Sequence, residues 1–283
     1  MKVHNEAWRT VYDPNFCEDK YLYHFTDIEK VIKILFGDSL KFSKIGTTND
    51  TLESKPKMDI PTNQENDLFG IIRHLRDINK RHVQILCFTK DVEKKSADSV
   101  SGKKAYTDYS GRGFALPRMW AQYARNNTGV CLVFDKNQLI ELIQDSLGIS
   151  LIHHGSVRYV SKFENYNYDP TKLKKLLGQV NQYHNAMQKS FVDLNFLKSN
   201  IEFVEYNYFS KLDDWAGENE YRFLTYGEED YFIKQIKDAL IGVVIGENID
   251  PAYEEIIKVL CNNICEVKKI TFTYKGCQIS SII

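Results

Sequence analysis

The chain has 283 residues, 43% hydrophobic and 27% charged, enough to enclose a sizeable core as one large domain or one domain with an insertion. Its 37 Lys and Arg stand against 38 Asp and Glu, which excludes a global electrostatic pull toward nucleic acid or membrane, though a local basic face would not register in that sum. No apolar run of about 18 residues occurs and MKVHNEAWRT holds no signal core, so neither a membrane span nor secretion is expected and the cytoplasm is the expected location.

Residues 1–20 carry Trp8, Tyr12 and Phe16 at fourfold spacing, which suggests a short packed helix or arm. Tyr21–Ser43 then reads as strand, capped helix, turn and second strand. In the strand Leu22, His24 and Thr26 share one face, and Tyr21, Tyr23 and Phe25 the other. Thr26 with Glu29 forms a capping box, Ile28, Val31, Ile32 and Leu35 make one apolar helix face, and Gly37 closes the helix. Ser39–Ser43 alternates as a half-buried strand, and the polar, turn-rich residues 44–66 predict a long surface loop.

A helix is predicted over 67–81, leading into a central strand at Val83–Thr89. Residues 90–113 have little apolar content and predict a mobile loop, one reading of which is a lid. Pro117 opens a helix with Met119, Trp120 and Tyr123 on one side, Asn126–Gly129 ends it, and the strand VCLVF follows. Asp135 starts the next helix, and a strand pair near Ser150–Val160 carries His153 and His154, read as a surface turn feature. From Pro170 to about Lys198 runs the longest helical periodicity, an inserted helix at about 165–212 that supports the site or forms a dimer seam. Gly217–Leu224 reads as a strand whose entrance carries Glu218 and Glu220 on one face with Arg222 beyond. The C-terminal part gives strand Leu240–Ile245, helix Pro251–Cys261, and strands at Glu266–Tyr274 and Gly276–Ile283.

Six cysteines are spread through the chain, and Cys87 and Cys131, inside apolar strand-like runs, read as reduced core residues. Cys261 and Cys265 have no second pair and no suitably placed His, so no metal is expected. Phosphate-loop, dinucleotide Gly-rich, zinc-protease and Gly-x-Ser-x-Gly signatures are all absent. Taken singly, His24 with Thr26 reads as a hydrogen-bonded strand-end pair, Glu218, Glu220 and Arg222 as an ion-paired face, and Met119, Trp120 and Tyr123 as core packing.

Their joint order says more. Tyr23-His24-Phe25-Thr26, Gly37, Leu40–Ser43, Asn49-Asp50 to Glu53, Cys87–Thr89, Met119-Trp120 to Tyr123, Gly129–Leu132, and Trp215 to Glu218-x-Glu220-x-Arg222 together resemble an uncharacterised bacterial family catalogued as domain of unknown function 2971, over most of Tyr21–Ile245. More remotely, a first-strand His then Thr, a second-strand Ser and a late-strand Glu are similar to ADP-ribosyltransferases, including DNA-targeting toxins of toxin–antitoxin pairs. That resemblance implies an α+β fold over residues 1–283, with a split, curved mixed β-sheet, surrounding helices and the long-helix insertion. It implies NAD as substrate, with no metal. His24, Thr26 and Ser43 would hold the dinucleotide together with Arg222 and Tyr123, Glu220 would be catalytic, and Glu218 would direct the acceptor.

The activity so implied is NAD-dependent ADP-ribosyl transfer or NAD hydrolysis in a toxin or phage-defence setting. A nucleic-acid or protein acceptor and an antitoxin or defence partner follow from the same resemblance; an oligomer built through the long helix follows from that helix's periodicity, and no membrane partner is expected. Loss of nicotinamide leaves an oxocarbenium-like ribose, which a fixed carboxylate stabilises as the charge develops. Two rivals remain: a non-catalytic module that senses a nucleotide or nucleic-acid end, and a metal-dependent phosphoesterase using Asp50, Glu53, Glu218 and Glu220.

Overall fold

The computed structural model describes residues 19–55, 57, 79–92, 109, 111–163 and 197–282, apart from the side chain of Ile149. Most of the expected arm at 1–20 and of the loop at 90–113, and nearly all of the helix at 67–81 and of the long helix at 170–198, lie outside the described residues.

A sheet of nine strands, β13-β12-β11-β5-β1-β4-β9-β6 with β3 also on β4, forms the frame. Its members are β1 (Tyr21–Thr26), β3 (Ser43–Lys44), β4 (Val83–Lys90), β5 (Val130–Asp135), β6 (Leu151–Ser156), β9 (Glu220–Tyr226), β11 (Leu240–Ile245), β12 (Glu266–Thr273) and β13 (Gly276–Ser281). The β11–β12 pair is parallel and the other pairs are antiparallel, so the sheet is mixed and the fold is α+β. Two short ribbons flank it: β2 (Ser39–Lys41) with β10 (Phe232–Lys234), and β7 (Arg158–Val160) with β8 (Ser210–Leu212).

The period of two in β1 sorts its side chains as the sequence requires. Leu22 enters one core, together with Val31 and Leu35 of α1 (Ile28–Gly37), Leu139, Ile143 and Leu147 of α3 (Lys136–Leu147), and Ile257 and Cys261 of α5 (Pro251–Cys261). Tyr21, Tyr23 and Phe25 enter a second core with Met119 and Trp120 of α2 (Pro117–Tyr123). A third cluster joins Ile45, Ile85 and Leu224 to Phe203, Val204 and Tyr208 of α4 (Ile201–Tyr208).

One irregularity positions the site. β1 pairs with β5 along its whole length, from Tyr21 opposite Asp135 to Thr26 opposite Val130. With β4 it pairs only at Leu22–Lys90 and Tyr23–Thr89. Beyond Tyr23 the strands part, and β3 takes up the far end of β4 through Ser43–Ile85 and Lys44–Gln84. Between these two partners Leu86–Phe88 has no strand on that side among the described residues, and the sheet opens into a cleft. A backbone carbonyl left there needs another donor, and the His24 side chain supplies it, with Nδ1 3.1 Å from the Cys87 oxygen.

Several local expectations are corrected. Asp27, not Thr26, caps α1, accepting from Lys30 N at 2.9 Å, and the left-handed residue that ends the helix is Asp38 (φ 47°) rather than Gly37. The strands near Ser150–Val160 do not pair with each other: β6 joins β9 and β7 joins β8. His153 and His154 lie within β6 rather than in a turn, the first beside Glu205 and the second bonded to the Tyr221 hydroxyl at 2.7 Å. Glu218 closes a 3-10 turn (Asp213–Glu218), and Asn219 at φ 43° separates it from β9, so the two carboxylates do not share one extended strand face. The start of the 44–66 loop is only partly surface: Gly46, Thr47, Asn49 and Thr51 are exposed, whereas Asp50, Glu53 and Ser54 are buried.

Candidate functional site

The cleft between the parted strands has a volume of about 790 Å³. His24 and Thr26 line it from β1, Cys87 and Thr89 from β4, Ser43 from β3, Asp50 and Glu53 from the loop that follows, Tyr123 from α2, and Lys211, Glu218 and Glu220 from the β8–β9 segment. Residues almost 200 positions apart in sequence thus share one cavity because β9 lies beside β4, with Glu220 opposite Thr89 and Arg222 opposite Cys87. Of the residues picked from the sequence, only Arg222 is not in the cleft wall.

At the cleft floor three carboxylates meet two cations. The Lys211 ammonium lies 2.8 Å from Glu218 Oε2, 2.9 Å from Glu220 Oε2 and 3.3 Å from Glu53 Oε1. Arg222 donates from Nε to Glu220 Oε1 at 2.7 Å, from Nη2 to Glu220 Oε2 at 2.8 Å and to Glu53 Oε1 at 2.5 Å, and from Nη1 to the Tyr208 carbonyl at 2.6 Å. The Tyr159 hydroxyl receives the Glu220 backbone N–H at 2.9 Å. The planar guanidinium fork therefore fixes Glu220 in orientation as well as in charge. Arg222 is 1% exposed, so it acts through the two carboxylates and does not reach the cavity.

Burial alone would raise the Glu53 carboxyl, but the Arg222 guanidinium and the Lys211 ammonium bring it down to about 2. The same two cations outweigh burial at Glu220 and hold its carboxyl below the usual range, so both are ionised at neutral pH. Burial would lower Lys211, yet Glu220 and Glu53 raise it. Lys57, close by, goes the other way: burial and then Arg222 lower its amine to about 7, while the amine donates to the Ser210 carbonyl. The ammonium of Lys211 occupies the centre of the carboxylate group, the place that the phosphoesterase reading would give to a metal.

Opposite this floor, His24 is held neutral, because burial lowers it more than the Cys87 carbonyl raises it. A carbonyl only accepts, so Nδ1 carries the proton and Nε2 remains an acceptor. Thr26, freed from capping, lines the cleft wall. Tyr123 donates to Glu218 Oε1 at 2.5 Å, and burial followed by the Glu218 charge raises its phenol. Met119 and Trp120 are core residues, the latter donating from Nε1 to the Phe114 carbonyl at 2.7 Å. Cys87 is not sealed in a core; it is half-buried on the cleft wall, with its thiol raised by burial and by Glu220.

At the mouth, Lys30, Lys33, Lys41 and Arg125 form a basic rim, with Lys30 paired to Asp27 at 3.0 Å and Lys41 to Asp230 at 2.5 Å. The balanced total charge hid this local cluster of cations at the mouth. Sequence reading also missed Lys211 and the role of Glu53. The run Lys211-Leu-Asp-Asp-Trp215 looks like an exposed charged turn, whereas the Lys211 ammonium is folded inward with the Trp215 ring 5.1 Å away. Among the described residues no group of three His, Cys, Asp or Glu has metal-binding geometry, and no helix is long and apolar enough to cross a membrane.

No curated protein matches the chain. Among solved structures, DarT of Thermus sp. 2.9 in complex with NAD+ matches with a TM-score of 0.31 and 10% identity, over 89% of this chain and 96% of that one, a likeness too slight to carry an argument about either fold or function. Residues 119–223 match the sequence model of the family described as a protein of unknown function (DUF2971). The matched stretch is the one that supplies Tyr123, Lys211, Glu218 and Glu220 to the cleft, with Arg222 behind them.

Proposed function

We propose that the cleft binds NAD and that the protein transfers ADP-ribose from it, to an acceptor or to water. The observation that carries this reading is the convergence of His24 and Thr26 with Glu218 and Glu220 on one cavity opened by the parting of β1 and β4. Neutral His24 accepts from a ribose hydroxyl at Nε2 without repelling the cationic nicotinamide ring. Ionised Glu220, held rigidly by Arg222, faces the charge that develops as the nicotinamide bond breaks; prearranged charge of this kind is the main source of such catalysis. Glu218, bonded to Tyr123 and Lys211, stands beside it to orient the acceptor. The basic rim suits the phosphates of a dinucleotide or of a nucleic-acid acceptor.

A second reading is favoured by one feature of the floor. Both Glu220 oxygens already take donors from Arg222 and Lys211, a neutralised arrangement suited to recognising a nucleotide without breaking it. The two are separated by incubating the protein with NAD, alone and with DNA, RNA or cell extract, and following nicotinamide release. Release that disappears in Glu220→Gln establishes transfer or hydrolysis. A rise in melting temperature with NAD but no release supports the sensor, and neither effect overturns both.

A further inference from the structure

Thr89 sits on the rung of the sheet where β1, β4 and β9 are joined. It is opposite Tyr23 on one side, where β1 and β4 make their last pair before parting, and opposite Glu220 on the other. Directly opposed residues of antiparallel strands share a face, so its hydroxyl is on the side of the sheet that carries the Glu220 carboxylate. Thr89 is 1% exposed, lines the cleft, and its Oγ1 has no hydrogen-bond partner among the described residues. Its neighbours show the contrast: Glu220, Glu218, Tyr123 and His24 all have partners.

A buried hydroxyl without a partner is a cost that a core position would remove by carrying valine, a normal strand residue of the same shape. We propose that Thr89 is a ligand-binding residue of the cleft, whose hydroxyl exchanges a hydrogen bond with a neutral sugar hydroxyl of the bound molecule. Charge selects that chemistry. The Glu220 carboxylate beside this rung already takes donors from Arg222 and Lys211, so neither an anion nor a cation finds an unpaired charge there, and a neutral group that donates and accepts fits it. A threonine hydroxyl both donates and accepts, as a sugar hydroxyl does. The identification of the sugar as a ribose of NAD rests on the proposed function; the role of Thr89 in binding does not.

The test compares wild type, Thr89→Val and Thr89→Ser by thermal melting without ligand and by calorimetric titration with NAD. The expected result is a Val variant that melts at or above wild type yet binds NAD about tenfold more weakly, the equivalent of one hydrogen bond, while Ser binds as wild type does. A Val variant that melts lower shows that the hydroxyl already has a structural partner and overturns the proposal, as does a Val variant with unchanged NAD affinity. If wild type itself takes up no NAD, the functional reading fails separately, and the ligand-free melts decide for Thr89: a higher midpoint for Val sustains a binding role, a lower one removes it.

Discussion

At the residue scale, the clearest division of labour lies between Thr26 and Asp27. A sequence rule that favours Ser or Thr three positions before Glu selects Thr26, but the backbone makes Asp27 the cap. Asp27→Ala should cost about 1 kcal/mol, the usual value of an N-cap, while Thr26→Ala should leave the melting temperature nearly unchanged and weaken NAD binding. Equal destabilisation by both would refute the assignment. Glu220→Gln needs more care than an ordinary catalytic knock-out. Removing one charge from a buried ion-paired group typically costs about 3–5 kcal/mol, though the amide retains an oxygen for Arg222. A lower melting midpoint with intact folding by circular dichroism, and no nicotinamide release, is the expected pair of outcomes. These roles were hidden in the sequence because neighbouring polar residues in a strand-to-helix turn look alike until φ and ψ are known.

At the scale of elements, the carboxylate floor gives the protein a characteristic response to acid. Glu53 is lowered to about 2 from an ordinary value of 4.5, and Glu220 is shifted in the same direction. Depressed carboxyls stabilise the fold above their unfolded value and lose that contribution as pH falls through the folded one. Melting temperature should therefore drop between about pH 4.5 and pH 2, and Glu53→Gln should flatten that drop. An unchanged profile in the variant would mean that other groups govern acid unfolding.

The wall formed by α2 makes a second prediction. Trp120 is wholly buried against Phe25, with ring centroids 5.3 Å apart. Trp120→Ala should cost about 3–5 kcal/mol in chemical denaturation, and a loss below about 1 kcal/mol would contradict a core role. Here the sequence was legible, since apolar spacing fixes α1, α2, α3 and α5 and the alternation in β1 fixes its two faces. It was illegible where turns intervene: a strand read through Gly217–Leu224 overlooks Asn219, whose left-handed backbone (φ 43°) breaks the period of two.

For the whole molecule, periodicity identifies strands but does not state which strands adjoin. The mixed sheet was expected from resemblance; the partners of β1 and β4, which decide where the cleft opens, depend on contacts between residues that are remote in sequence. Glycine shows how tightly the result is fitted. A Cβ at Gly129 would stand 2.3 Å from the Thr26 carbonyl, so the loop before β5 lies against the end of β1 at the cleft. Gly129→Ala should displace that end, and a crystal structure of the variant with Thr26 unmoved would dispose of the idea.

The parting of the sheet also bears on how the protein is made. One wing, β1-β5-β11-β12-β13, and the other, β4-β9-β6, are interleaved along the chain, so neither is a contiguous stretch. A growing polypeptide releases His24 and Thr26 early, but their facing carboxylates arrive only with Glu218 and Glu220, and β5 keeps an open edge until Leu240–Ile245 emerges to cover it. Such long-range pairing forms slowly. A chain halted before β11 would already carry His24, Thr26, Glu53, Lys211, Glu218 and Glu220, but on a sheet whose β5 edge is still open, so the site is complete in residues before its frame is closed.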